Sequence, residues 1–140
     1  MSHTCKSLII HCIDFRFGKA KKEYLEKQGL LGDTDIVSVA GAVKNLVSPH
    51  APADAEFIMR QIEISKRLHE INEIILMNHT DCGAYGGRTA FGSDEEETNQ
   101  HVEDMRKAKD LILGRHPSLE ITTVLARISP QGEIDFQEME

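Results

Sequence analysis

The chain has 140 residues, a net charge of −7 and no Lys/Arg cluster able to form a basic face, which excludes a binder of nucleic-acid backbones. Hydrophobic residues at 40% and charged residues at 28% are ordinary for a globular protein, so disorder and fibres are excluded and a single domain over residues 1–140 is expected. No apolar run approaches the roughly 18 residues of a membrane span.

The start, Met1 to Thr4, is short and polar and does not read as a signal peptide. Three cysteines, Cys5, Cys12 and Cys82, are an odd number and argue against a secreted disulfide framework. The expected location is a reducing cytoplasm, where cysteines point to metal or catalysis more often than to crosslinks.

Ser7 to Ile13 is a run of aliphatic and β-branched residues and predicts a buried strand. Phe17, Ala20, Tyr24 and Leu25 then recur at helical spacing, with Gly29 as a stop signal. Lys19, Lys21 and Lys22 are read as a solvated face of that helix. Asp35 to Val39 predicts a second strand ending at Ala40-Gly41. Ala55, Phe57, Ile58, Met59, Ile62, Ile64 and Leu68 predict a long amphipathic helix approached by Pro49 and Pro52.

Glu73 to Asn78 predicts a third strand, and a loop with Gly83, Gly86, Gly87 and Gly92 follows. Ser93 to Glu96 fits a capping box, and Val102, Met105, Lys109 and Ile112 continue a helix to Gly114 and Pro117. Ile121 to Ala126 predicts a fourth strand, and Glu133 to Phe136 an added edge strand or hairpin. The alternation predicts an α/β fold: a mainly parallel sheet of about four strands flanked by helices on both faces. Functional groups in such sheets gather at the carboxyl ends of the strands.

That rule brings Cys12, His79 and Cys82 to one edge, beside Ala40-Gly41. Two thiolates and an imidazole suit Zn²⁺, and three protein ligands leave a fourth position open for chemistry. Taken singly these residues say little, since a lone buried cysteine is usually a small core residue. Asp14 and Arg16 directly follow Cys12. They fit a loop-ordering salt bridge, or a pair in which Arg16 holds Asp14 ionised as an acceptor toward a water activated by the metal. His11 alternates to the opposite face from Cys12 and is expected to be a packed histidine. His50, His69, His101 and His116 are read as solvated, with His50 nearest the catalytic edge as a proton carrier. Cys5, at the far end of the first strand, is read as a bystander. Tyr85 and Phe91 fit core plugs, pocket walls or dimer contacts.

Cys12-x-Asp14-x-Arg16, then Ala40-Gly41, then His79-Thr-Asp-Cys82-Gly83 resemble the motif set of the β-class carbonic anhydrases, in order and spacing from about Cys5 to Ile128. The resemblance implies hydration of carbon dioxide to bicarbonate, with Cys12, His79 and Cys82 as zinc ligands, Asp14 as acceptor and Arg16 as its partner. It implies a small pocket shaped by Ala40, Gly41 and Gly83, and a homodimer or higher homo-oligomer. It also implies a resting form in which Asp14 leaves Arg16 and takes the fourth zinc position.

The pattern departs from the family at Phe15, where Ser is usual, and at Ser38-Val39, where Arg-Asn is usual. Eleven residues precede Cys12, so the family's long N-terminal helical segment and its pocket Gln are expected to be absent. Two further functions fit the same residues. One is hydrolysis of carbon disulfide or carbonyl sulfide, which apolar Phe15 and Val39 favour; the other is a non-catalytic zinc domain with Asp14 as fourth ligand.

Overall fold

The computed structural model describes residues 3–139, so Met1 and Ser2 of the polar start, and Glu140, lie outside it. Five strands, β1 (Ser7–His11), β2 (Thr34–Ser38), β3 (Glu73–His79), β4 (Glu120–Ile128) and β5 (Ile134–Met139), form one sheet in the order β2-β1-β3-β4-β5. The first four are parallel, and β5 returns antiparallel along β4 as the added edge strand. Four helices connect them: α1 (Gly18–Lys27), α2 (Lys44–Val47), α3 (Pro52–His69) and α4 (Asp94–Arg115).

Side chains alternate across the strands and divide the core in two. Leu8, Ile10, Ile74, Leu76 and Leu125 point to the face covered by α2, α3 and α4, where they meet Leu46, Ile58, Ile62, Met105 and Ile112. Ile9, Ile75, Met77, Val124 and Ala126 point to the opposite face, closed by Phe17 and Leu25 of the α1 region. β1 and β3 are central and buried on both faces, which is why they read as continuous apolar runs.

The local signals act as expected at several ends. Gly29 is left-handed at φ +70°, and Pro52 opens α3 where its missing N–H costs nothing. The Ser93 hydroxyl accepts from the Glu96 amide at 3.1 Å, but Glu96 accepts from Gly92 rather than from Ser93, so the box closes one residue early.

Other expectations need correction. The short helix α2 has too few residues to show a period. On α3, Phe57 and Leu68 stand in solvent, and the buried stripe is confined to Ile58, Met59, Ile62 and Ser65. On α4 the buried stripe runs through His101, Met105, Ala108 and Ile112, and the helix passes through Gly114 to Arg115. His101 is therefore fully buried, not solvated. Lys21 is not simply solvated either: its ammonium lies 3.0 Å from His11 Nε2. His11 is buried as expected; burial and the Lys21 charge lower its pKa to about 4, so it accepts as a neutral ring.

Candidate metal centre

Parallel pairing aligns the carboxyl ends of β1 and β3, with His11 level with Met77. Cys12 leaves β1 one residue after its end, His79 ends β3, and Cys82 follows after a tight turn. The donor atoms of Cys12, His79 and Cys82 lie within 4.8 Å of one another, and all three residues are buried. The two sulfurs are 4.0 Å apart.

The imidazole of His79 is oriented for ligation. Its Nδ1 lies 2.7 Å from the Thr80 carbonyl oxygen, so Nδ1 carries the proton and donates there. That leaves Nε2 as a bare lone pair, buried and without a hydrogen-bond partner. Such an acceptor is costly unless something fills it, and a cation between two thiolates does so. The donor set fits zinc or a similarly soft divalent ion. A hydrogen bond from Cys82 and one from the Gly41 amide, at 3.4 Å, hold the Cys12 thiol far below its ordinary range. Cys82 moves the opposite way because its neighbour takes the charge first.

Gly41 can deliver that amide because it lacks a side chain. Its φ is +81°, and a Cβ there would stand 2.9 Å from the Ala84 Cβ. At Gly83 a Cβ would meet nothing within 4 Å.

Asp14 and Arg16 form a close pair beside the sulfurs. Arg16 Nη2 donates to Asp14 Oδ2 at 2.7 Å, Nε donates to Oδ1 at 3.1 Å, and the Arg16 amide donates to Oδ1 at 2.9 Å. These bonds depress the Asp14 pKa, so the group is a carboxylate and an acceptor. Its Oδ2 lies 3.8 Å from His79 Nε2, with no proton between them because both are acceptors. Asp14 thus faces the point where the three donors converge while remaining bound to Arg16.

Cys12, Asp14, Arg16, Ala40 and Gly83 line an open cleft of about 750 Å³. His79 and Cys82 lie beneath its floor, with the Phe17 ring 4.3 Å from the His79 ring. Ile13 and Phe15 stand at the rim, 62% and 90% exposed. His50 is exposed and takes no part in the lining.

The sequence profile of a family described as "Putative carbonic anhydrase" matches residues 2–131, most of the chain. The chain belongs to the β-carbonic anhydrase family. It is 35% identical over 122 residues to an uncharacterized protein of Rickettsia bellii, an alignment covering 85% of this chain and 74% of the relative. A crystal structure of tetrameric β-carbonic anhydrases from the ascomycete Sordaria macrospora superposes with a TM-score of 0.65 at 16% identity, covering 99% of this chain and 84% of that one. The apo form of a carbon disulfide hydrolase gives a TM-score of 0.55 at 18% identity, covering 96% and 79%. At these identities both structures speak to the fold alone.

Beside the family motif, the structure brings in residues that the sequence did not assign. Asp81 Oδ2 and its carbonyl oxygen accept from Arg16 at 3.1 and 3.0 Å, so Arg16 is clamped between two acids. Asp81 is left-handed at φ +56°, and its amide donates to the buried Glu97 at 2.8 Å. A visible signal existed: Asp81 is an acid set between two candidate ligands, and Arg16 has more donors than Asp14 alone can use. Behind the ligands, Asn78 donates to Tyr85 Oη at 3.1 Å and to His101 Nδ1 at 2.9 Å, and Tyr85 donates to Asp104 at 2.8 Å. Tyr85 is half-buried and lines a second surface cavity with Phe91 while its hydroxyl joins this network, which no motif announces.

Proposed function

We propose that this chain is a zinc lyase that reversibly hydrates carbon dioxide to bicarbonate. The observation that carries this reading is the bare, buried Nε2 of His79 facing the two cysteine sulfurs, with Asp14 turned to the same point but held by Arg16. Cys12, His79 and Cys82 would hold the metal. When bound, zinc supplies the Lewis acidity that readies water as a nucleophile near neutral pH.

The chain's own residues do the rest. Asp14, kept ionised by Arg16, accepts a proton-bearing oxygen and fixes its direction. Arg16 is fixed in turn by Asp81, so the acceptor is positioned before substrate arrives. Ala40 and Gly83 line the cleft with small surfaces that leave room for a small linear substrate, whereas Gly41, expected beside them, is buried and does not line it. Gly41 stabilises the Cys12 thiolate through its amide. The reading includes a homodimer or higher homo-oligomer, since a second copy would cover the apolar rim at Ile13 and Phe15. No described helix is long and apolar enough to cross a membrane, and a reducing cytoplasm would keep both thiols available.

A second substrate class is supported by that same apolar rim: carbon disulfide or carbonyl sulfide, also small, linear and apolar. Stopped-flow hydration of carbon dioxide by zinc-loaded protein, followed from about pH 6.5 to 9, separates the two. Turnover that rises through an apparent pKa supports the lyase. Absence of turnover with stoichiometric zinc overturns it, and sulfide release from the sulfur substrates would then assign the second class.

A further inference from the structure

The sheet carries a second group of ligand-type side chains at its opposite edge. Cys5 lies just before β1, Asp35 near the start of β2, and His69 at the end of α3. A sulfur, a carboxylate oxygen and an imidazole nitrogen from these residues lie within 4.8 Å of one another. The backbone fixes their approach, because the Cys5 amide donates to the His69 carbonyl oxygen at 3.0 Å. A fourth donor is near: the His3 ring is 4.8 Å from the His69 ring. His3, Cys5, Asp35 and His69 line one cavity of about 120 Å³.

The chemistry of this group is that of a metal site more than of a nucleophile. Burial and the neighbouring Asp35 charge raise the Cys5 thiol, which opposes redox or nucleophilic use. A divalent cation reverses that effect, and one thiolate with one carboxylate neutralises it. The ligand atoms of a tetrahedral zinc site stand roughly 3.3–3.8 Å apart. The His69 to Asp35 contact of 2.7 Å must therefore open slightly and the wider ones close. Ser65 also donates to Asp35 Oδ2, at 2.5 Å, and keeps the carboxylate aimed while His69 turns from hydrogen-bond donor to ligand.

We propose that Cys5, Asp35 and His69, with His3 in the fourth position, form a second binding site for zinc or a similar transition-metal ion. On binding, the Cys5 thiol releases its proton, and the His69 proton moves from Nδ1 to Nε2. The ion would join the segment before β1 to β2 and α3, a closed site with a structural role.

The test is alkylation of dialysed protein by iodoacetamide, with and without added Zn²⁺, read at the Cys5 peptide by mass spectrometry. Zinc should slow Cys5 modification about tenfold or more, and chelator should restore it. His69→Gln and Asp35→Asn should each remove this protection. Cys12→Ser, which impairs the first centre, should leave it in place, so the two readings fail separately. An unchanged Cys5 rate in wild-type protein at saturating Zn²⁺ would overturn the proposal without any variant. Protection that persists in both His69→Gln and Asp35→Asn would overturn it too.

Discussion

The two ends of the sheet hold similar atoms in opposite states. At the carboxyl edge, Cys12, His79 and Cys82 are buried, and the inward nitrogen of His79 has no partner. At the amino edge, Cys5, Asp35 and His69 are half-buried, and His69 already bonds to Asp35. The first centre is incomplete as a set of protein groups, whereas the second satisfies itself. Burial makes each unpaired group at the first centre costly, so that edge is organised around what it binds. The second edge can exchange hydrogen bonds for a metal at small cost, so occupancy there should depend on metal supply.

This contrast breaks most directly at the ligands. Cys82→Ser or His79→Gln should lower carbon dioxide hydration by about a thousandfold or more, since each removes one of three ligand atoms and the nearby Asp14 is held by Arg16. Elemental analysis of the purified variants should show the corresponding zinc lost. Full activity in either variant would mean that chemistry does not depend on this edge.

One step outward, Asp14→Asn removes the ionised acceptor but no ligand. Turnover should fall about a hundredfold while zinc content stays unchanged. Arg16→Lys and Asp81→Asn should each cost about tenfold, because Lys cannot make the forked contact and Asn weakens the second hold on Arg16. An Asp14→Asn variant that loses zinc in proportion to its rate would turn Asp14 from acceptor into ligand.

The difference between Asp14 and Asp81 also marks how far the sequence could be read. The strand runs and helical spacings place Cys12 and His79 without any contact map, because parallel strands bring their carboxyl ends to one edge whatever the loops do. Asp14 and Arg16 are neighbours in the chain, so their pairing is legible too. Asp81 meets Arg16 across 65 residues, through a left-handed turn that no residue type dictates. His101 is hidden for another reason. On a mostly polar helix its ring looks solvated, and only the packing of α4 onto β3 shows that it reaches Asn78. The amino edge escaped for a third: Cys5, Asp35 and His69 share no motif spacing and meet only when β2 and α3 close around β1.

Gly41, buried behind the ligands, and Gly83, in the cleft wall, sharpen the same comparison on the scale of single atoms. Gly41→Ala combines a left-handed φ with a Cβ 2.9 Å from Ala84, and should destabilise the fold by about 2 kcal/mol in urea unfolding. Gly83→Ala meets no atom within 4 Å, and its stability should change by less than about 0.5 kcal/mol. Equal losses at both would show that the amide of Gly41 is not held by close approach to Ala84.

The smallest effect concerns His101 behind the ligands. Burial lowers its pKa from 6.5 to about 4, so the folded chain keeps the ring neutral where the unfolded chain takes up a proton. Below about pH 6.5 the unfolded state therefore binds more protons, and stability must fall as pH falls until the folded group titrates as well. Between about pH 7 and 5.5 the loss from this one ring should be on the order of 1 kcal/mol. His101→Gln keeps an acceptor for Asn78 but does not titrate. Its urea midpoint should therefore vary less with pH than that of wild-type protein, beyond any uniform loss from the changed shape. Parallel pH profiles in the two proteins would mean that burial leaves the His101 pKa where it lies in the unfolded chain.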